Sequence, residues 1–210
     1  MKDDRHILGE STSHTEATSL TLLDRVKRQD GNGWSLFCSL YTPLIQWWCM
    51  RHGVAGSDIH DLAQDVFLTV FGRVEEFEHA GRRGSFRAWL RTITGYKYKE
   101  YERRRRGEPP GEGGSGALER LLLVVDVAPE GGADVVPEVE ETERALVVRA
   151  ALEQIRGTVE PKTYEAATRT LLGEPTAGVA AALGMTTGAV HVAKSRILQK
   201  LRAICDEHLD

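Results

Sequence analysis

The chain has 210 residues, 41% of them hydrophobic and 28% charged, with a formal net charge of −4. That length accommodates one large domain or two small ones, and the composition is that of an ordinary globular protein. No apolar run approaches the roughly 20 residues of a membrane span, the longest being the stretch from Leu121 to Val125, so no membrane partner is expected.

The first 18 residues, MKDDRHILGESTSHTEAT, are polar and lack the apolar segment of a secretory signal. They read as a disordered lead-in, and the expected location is the cytoplasm. Cys38, Cys49 and Cys205 form an odd set without metal-ligand spacing. They are expected to be buried thiols rather than a disulfide framework or a zinc site. Phosphate loops, metal-ligand runs and nucleophile motifs are missing, so neither an enzyme nor a cofactor is expected.

The first expected helix runs from Ser19 to Arg28 around Leu22, Leu23 and Val26, and Asp30-Gly31-Asn32-Gly33 follows as a break. A second begins near Trp34, carries Phe37, Tyr41, Leu44, Ile45 and Trp48 at helical spacing, and stops at Gly53. Pro43 inside it predicts a kink or a split. The segment Ser57 to Val70 is the cleanest amphipathic helix, with Ile59, Leu62, Ala63, Val66, Phe67 and Val70 in phase and Ser57 as its expected N-cap. Asp58 and Asp61 suit the positive end of the helix dipole. Asp61, Gln64, Asp65 and Leu68 make an acidic outer strip that reads either as a solvated face or as a docking face.

Gly84 to Arg106 follows. Phe86, Trp89, Leu90 and Ile93 form a buried stripe, while Arg87, Arg91, Tyr98 and Tyr101 fall largely outside it. Between Arg82 and Arg106 ten basic residues face two acidic ones, a local +8 in a chain of opposite sign. Cations interleaved with Tyr96, Tyr98 and Tyr101 are what a single-stranded nucleic acid site needs, since the rings stack on bases and the cations meet phosphates. A solvated polybasic helix is the plainer alternative.

Gly107 to Pro137 holds four prolines and seven glycines, and Gly107 to Ala145 carries a local charge of −8. Such a stretch resists burial and reads as an acidic linker between two helical regions. Beyond it come scaffold helices over Val139 to Ile155 and Pro161 to Leu172. A short helix from Thr176 to Leu183, a glycine turn at Gly184, Thr186 as N-cap and a longer helix from Thr187 to about Ile204 complete the chain. Short helix, glycine turn and basic second helix are the plan of a helix-turn-helix, whose second helix enters the major groove. Val190, Ala193, Ile197, Leu201 and Ile204 make its inner stripe. Thr187, Gly188, His191, Lys194, Ser195, Arg196 and Lys200 point outward.

Three motifs in this order, DIHDLAQDVF, FRAWLRTIT with its polybasic continuation, and LGMTTGAVHVAKSRILQKLR, resemble the extracytoplasmic-function group of bacterial sigma factors in the sigma-70 family. The resemblance spans about Ser19 to Leu201. It implies an all-α fold of two small helical domains joined by a flexible acidic linker: 1–18 lead-in, 19–106 region 2-like, 107–137 linker and 138–210 region 4-like. It implies a non-enzymatic partner of RNA polymerase core, touching the clamp coiled coil and the flap, that directs initiation at promoters. Asp61, Gln64, Asp65 and Leu68 would then dock on polymerase. Arg87, Arg91, Tyr96, Lys97, Tyr98, Tyr101, Arg103 and Arg104 would recognise and open the minus-ten element, and Thr187, Gly188, His191, Lys194, Ser195, Arg196 and Lys200 would read the minus-thirty-five element. Promoter DNA, double- and single-stranded, is the implied ligand, and an anti-sigma factor belongs among the partners the family admits.

The chain departs from the family's common pattern in having Tyr96 and Glu100 where Asn and Asp are frequent, and His191-Val192-Ala193 where Lys-Ser-Arg is frequent. A helix-turn-helix regulator acting on duplex DNA without polymerase is the second reading. It leaves the acidic strip and the aromatic-basic helix without a role.

Overall fold

Helix α1 (Leu22–Lys27) and helix α2 (Gly31–Arg51) meet at a corner tighter than the sequence suggests. Asp-Gly-Asn-Gly is not a break but the start of α2. Asp30 caps it, its Oδ1 accepting from the Asn32 amide at 3.1 Å while Oδ2 accepts from Arg25 Nε at 2.8 Å. The Arg25 guanidinium accordingly holds the Asp30 carboxyl below its ordinary value. Gly33 is buried where the two helices touch.

The computed structural model describes residues 22–77, 85–108, 116, 118 and 137–204, and these are helical with no strand among them. The remaining helices are α3 (Asp58–Arg73), followed by a 3-10 turn at Val74–Glu76, then α4 (Ser85–Arg105), α5 (Pro137–Arg156), α6 (Pro161–Leu171), α7 (Thr176–Leu183) and α8 (Thr187–Ile204). The fold class is all-α, as expected. The 1–18 lead-in, most of the 107–137 linker and Cys205 lie outside the described residues.

Helix α2 runs unbroken through Pro43, so the expected split does not occur. Tyr41, Leu44 and Ile45, all fully buried on either side of the proline, anchor both halves against one core. That packing outweighs the lost backbone bond. The core is built on aromatic edges: Phe37 lies 4.9 Å from Tyr41 and 5.8 Å from Phe86, which in turn lies 5.3 Å from Phe77 and 5.5 Å from Trp89. Tilted and edge-to-face contacts of this kind add about 0.5–1.5 kcal/mol each beyond the area they bury. Cys49 is buried and Cys38 half-buried, and burial pushes both thiols up to about 11.

Helix α5 belongs to two cores. Val147 and Ala151 join the aromatic cluster of α1 to α4, whereas Ile155, one and two turns on, joins Ala166, Ala167, Val179, Ala180, Val190, Ala193 and Ile197 of α6 to α8. The scaffold helix expected to serve the C-terminal half alone therefore also covers a face of α2 and α4.

The Gly33 position gives a direct check on the α1–α2 corner. A Cβ there would stand 2.7 Å from Arg25 Cβ, against open space at Gly31. Gly33→Ala should lower unfolding stability by about 1–3 kcal/mol as an overpacked site, while Gly31→Ala should leave it unchanged or slightly raised. Denaturant unfolding of both variants measures the difference.

Candidate functional site

Three surfaces carry the residues singled out by sequence. On α3, Asp61 and Gln64 are exposed and Leu68 is 71% exposed, with Phe71 beside them on the same helix at 42%. The amphipathic phase explains the arrangement, because Leu62, Ala63, Val66 and Val70 are buried and leave these four outside. Ser57 occupies the N-cap position, but its side chain makes no capping bond. Its backbone is already helical, so the expected cap is not formed and Asp58 and Asp61 answer the dipole.

Asp65 is not simply part of that outer strip. Its carboxylate accepts from Arg104 of α4 at 3.0 Å. Two turns earlier on α3, Asp58 accepts from the Tyr101 hydroxyl at 2.5 Å, which pushes the Tyr101 phenol above its ordinary value. The two contacts flank an open cleft of about 330 Å³, completed by Asp61, Leu62 and Arg105. The acidic strip and the basic end of α4 thus share an edge.

Along α4 the expected nucleic-acid residues divide. Arg103 is half-buried, and Arg104 keeps 60% of its side chain in solvent. Lys97 pairs with Glu100 at 3.0 Å and lies 6.0 Å from the Tyr96 ring centroid. Tyr96, Tyr98 and Tyr101 are all half-buried and pack against the aromatic core, each keeping part of its surface in solvent. Tyr98 already stacks on His52 at 4.4 Å and 19°, and a hydrogen bond to Glu102 pushes its phenol up.

Arg87 and Arg91 depart furthest from the sequence reading. Arg87, expected largely outside the packed stripe, is 3% exposed. Its Nη2 lies 3.8 Å from Glu140 of α5, while its Nε and Nη1 have no hydrogen-bond partner among the described residues. Burial lowers its guanidinium below the ordinary value, although arginine stays cationic. Arg91 donates to Glu143 Oε2 and lies 5.7 Å over the Trp48 ring, whose Nε1 donates to Glu143 Oε1 at 2.7 Å. Glu143 itself is 1% exposed. The physical cause is the docking of α5, which lays its carboxylates on this face.

Glu140, Glu143 and Trp48 are the site residues that sequence reasoning missed. A signal existed. Glu143 precedes Leu146 and Val147 by three and four residues, in phase with the apolar stripe of its helix, and Glu140 lies one further turn back.

The C-terminal surface follows the expectation more closely. Gly184 adopts a left-handed φ of 57°, and α7 and α8 make an angle of 104° across it. Thr186 Oγ1 accepts from the Ala189 amide at 3.1 Å, the expected cap. Val190, Ala193 and Ile197 are buried, and Leu201 and Ile204 half-buried. Thr187, Gly188, His191, Ser195, Arg196 and Lys200 are exposed, Lys194 is half-buried, and Lys200 donates to Thr158 Oγ1 at 3.3 Å. Near a right angle, a short helix crosses behind a longer one and leaves the latter's outer side clear, the geometry of helices that enter a groove. No cluster of metal-ligating side chains occurs among the described residues, and no described helix is by itself long and apolar enough to cross a membrane.

Residues 38–108 match the family model for Sigma-70 region 2. The matched segment holds most of α2 and all of α3 and α4, hence both the acidic strip and the aromatic-basic helix, and it stops before α5. No curated protein matches the chain.

The turn between α7 and α8 can be tested directly. A Cβ on Gly184 would meet nothing within 4 Å, so the cost of Gly184→Ala comes from the left-handed backbone alone. It should lower unfolding stability by about 1–2 kcal/mol, and Gly184→Asn by less, because asparagine enters that conformation more readily. Thermal unfolding of the two variants ranks them.

Proposed function

We propose that this chain, a sigma-70 family protein by its region 2 domain, is a sigma factor of the extracytoplasmic-function type, which binds RNA polymerase core and directs initiation at chosen promoters. The observation carrying the proposal is the coincidence of the region 2 match with two chemically distinct surfaces: an acidic and apolar strip on α3 and a basic, aromatic α4. In this reading the region 2-like part is 19–106, the acidic linker 107–137 and the region 4-like part 138–210.

Docking falls to Asp61, Gln64, Asp65 and Leu68, where carboxylates meet cations on the polymerase around an apolar contact. Recognition and opening of the minus-ten element fall to α4, through Arg103 and Arg104 on phosphates and Tyr96, Tyr98 and Tyr101 beside unpaired bases. The helix-turn-helix reads the minus-thirty-five element. Thr187, Gly188 and His191, near the start of α8, approach base edges, and Lys194, Arg196 and Lys200 approach phosphates. The exposed α7–α8 geometry also suits a regulator that binds DNA alone; such a protein would leave the strip on α3 idle.

Asp61→Lys combined with Asp65→Lys tests docking. The Asp65–Arg104 pair is exposed, and such pairs contribute about 0–1 kcal/mol, so thermal unfolding should move little. Core polymerase pull-down should be lost, and retention at full strength would return the strip to plain solvation.

The two ends of α8 should fail differently. His191→Ala should change which minus-thirty-five bases are preferred, each worth about 1–3 kcal/mol when misread. Arg196→Ala should weaken all promoters alike and reduce the salt dependence by about one counterion. Holoenzyme binding to a minus-thirty-five variant library at several salt concentrations measures both, and an unchanged preference in His191→Ala would remove that residue from the readout.

A further inference from the structure

Helix α8 leaves one large apolar side chain in solvent. Val192 is 50% exposed, whereas Val190, Ala193 and Ile197 of the same helix are buried. At about 3.6 residues per turn, Val192 falls close to the line opposite that buried stripe. Gly188 lies one turn before it, and Ser195 and Gln199 follow it along the same line, all of them exposed. This outermost ridge carries no charge. Lys194, half-buried, lies beside the inner stripe, and Arg196 and Lys200 lie on one flank. On a helix seated in a groove the cations thus border the ridge, where phosphates run, and the ridge itself goes deepest.

The turn before Val192 is open. Side chains on a helix lean toward its N-terminus, so the Val192 methyl groups lie over Gly188 and Ala189, where no larger side chain stands. Folding does not ask for glycine at position 188: its backbone is helical, and a Cβ there would meet only Thr186 Oγ1, at 3.9 Å, among the described residues. Glycine is a poor helix former, and its use here keeps the space beside Val192 free. A valine can offer a base edge no hydrogen bond. It can offer contact to an apolar group, and the major groove presents one, the C5-methyl of thymine.

We propose that Val192 is a specificity-determining residue of α8, which selects a thymine by packing against its C5-methyl group beside Gly188. The proposal rests on the reading of α8 as the helix that enters the minus-thirty-five element, and it adds to Thr187, Gly188 and His191 a contact made without hydrogen bonds. Cytosine at that step would bring its N4 amino group against the valine methyls and leave a donor unpaired. Uracil would keep the hydrogen-bonding edge of thymine and lack only the methyl.

The test uses holoenzyme formed with the full-length chain and the duplex element that the variant library selects, each thymine of either strand being replaced in turn by deoxyuridine. In the parent one position should lose about fourfold in affinity, or about 0.8 kcal/mol, the value of one buried methyl-sized group. Val192→Ala should bind the thymine duplex about fourfold more weakly than the parent and should bind the thymine and deoxyuridine duplexes equally at that position. Arg196→Ala should weaken both duplexes and keep the fourfold ratio between them. Val192 is exposed, so thermal unfolding of Val192→Ala should match that of the parent.

A selected element without thymine, or one whose thymines all tolerate deoxyuridine in the parent, would overturn the proposal. So would a deoxyuridine penalty that persists unchanged in Val192→Ala, because the methyl would then meet another group, or one that disappears equally in Arg196→Ala, because it would then follow affinity and not Val192. In each of these cases α8 still discriminates among bases and the functional reading stands. If the chain does not bind core polymerase, or holoenzyme binds every minus-thirty-five variant alike, the functional reading fails and the proposal fails with it.

Discussion

A buried carboxylate organises the relation between the two halves of this protein. Among the described residues Glu143 is the buried acidic side chain, and it is satisfied by donors from two different helices, Trp48 of α2 and Arg91 of α4. Taking a carboxylate out of water costs several kcal/mol, so the position of α5 is restricted to places where both oxygens find donors. The contact specifies register more than it adds strength. Once Glu143 is seated, Val147 and Ala151 fall into the aromatic core, and Ile155 is carried over to the core beneath α7 and α8.

The second constraint lies between α3 and α4. Asp58 with Tyr101, and Asp65 with Arg104, tie the acidic strip to the basic helix. An oxygen of Asp65 that faces a cation on polymerase is less available to Arg104, and an Arg104 that faces phosphate is less available to Asp65. Exposed ion pairs of this kind are individually weak and exchange partners at little cost. If Asp65 docks on polymerase and Arg104 meets phosphate, as proposed, the two contacts draw on the same ion pair, and no conformational change is required to link them.

Much of this fold was legible because apolar spacing survives packing. The inner stripes of α3 and α8 and the cap at Thr186 stand where their periodicity and residue types place them. Local punctuation misled at three points. Asp30 turned an apparent break into a helix start by capping it, Pro43 was overruled by buried neighbours on both sides, and Ser57 did not cap. The covered face could not be read, because periodicity assigns a residue to one side of its helix and says nothing of what later chain comes to lie there. Arg87 and Arg91 are polar by sequence and enclosed by tertiary contact. Glu143 carried the one usable signal, an acid in phase with an apolar stripe, yet ten acidic residues between Gly107 and Ala145 made it look like another member of a solvated run.

Opposing terms meet at that covered face. Burying Val147 gains about 1.5–3 kcal/mol at most, and Ala151 less. Against this stands Arg87, whose two buried donors lack partners among the described residues, each such loss costing about 1–3 kcal/mol. The hydrogen bond from Trp48 and the pair with Arg91 offset the desolvation of Glu143 without a large surplus. Leu146, Ala150, Leu201 and Ile204 pack against the same core, so α5 is held by apolar contact at several positions as well as by Glu143. The interior of α1 to α4, where fully buried Phe37, Leu40, Tyr41, Leu44, Ile45, Phe86, Leu90 and Ile93 reinforce one another, extends without interruption into that contact. The α3 and α4 surfaces are thus built on a core that α5 helps to complete.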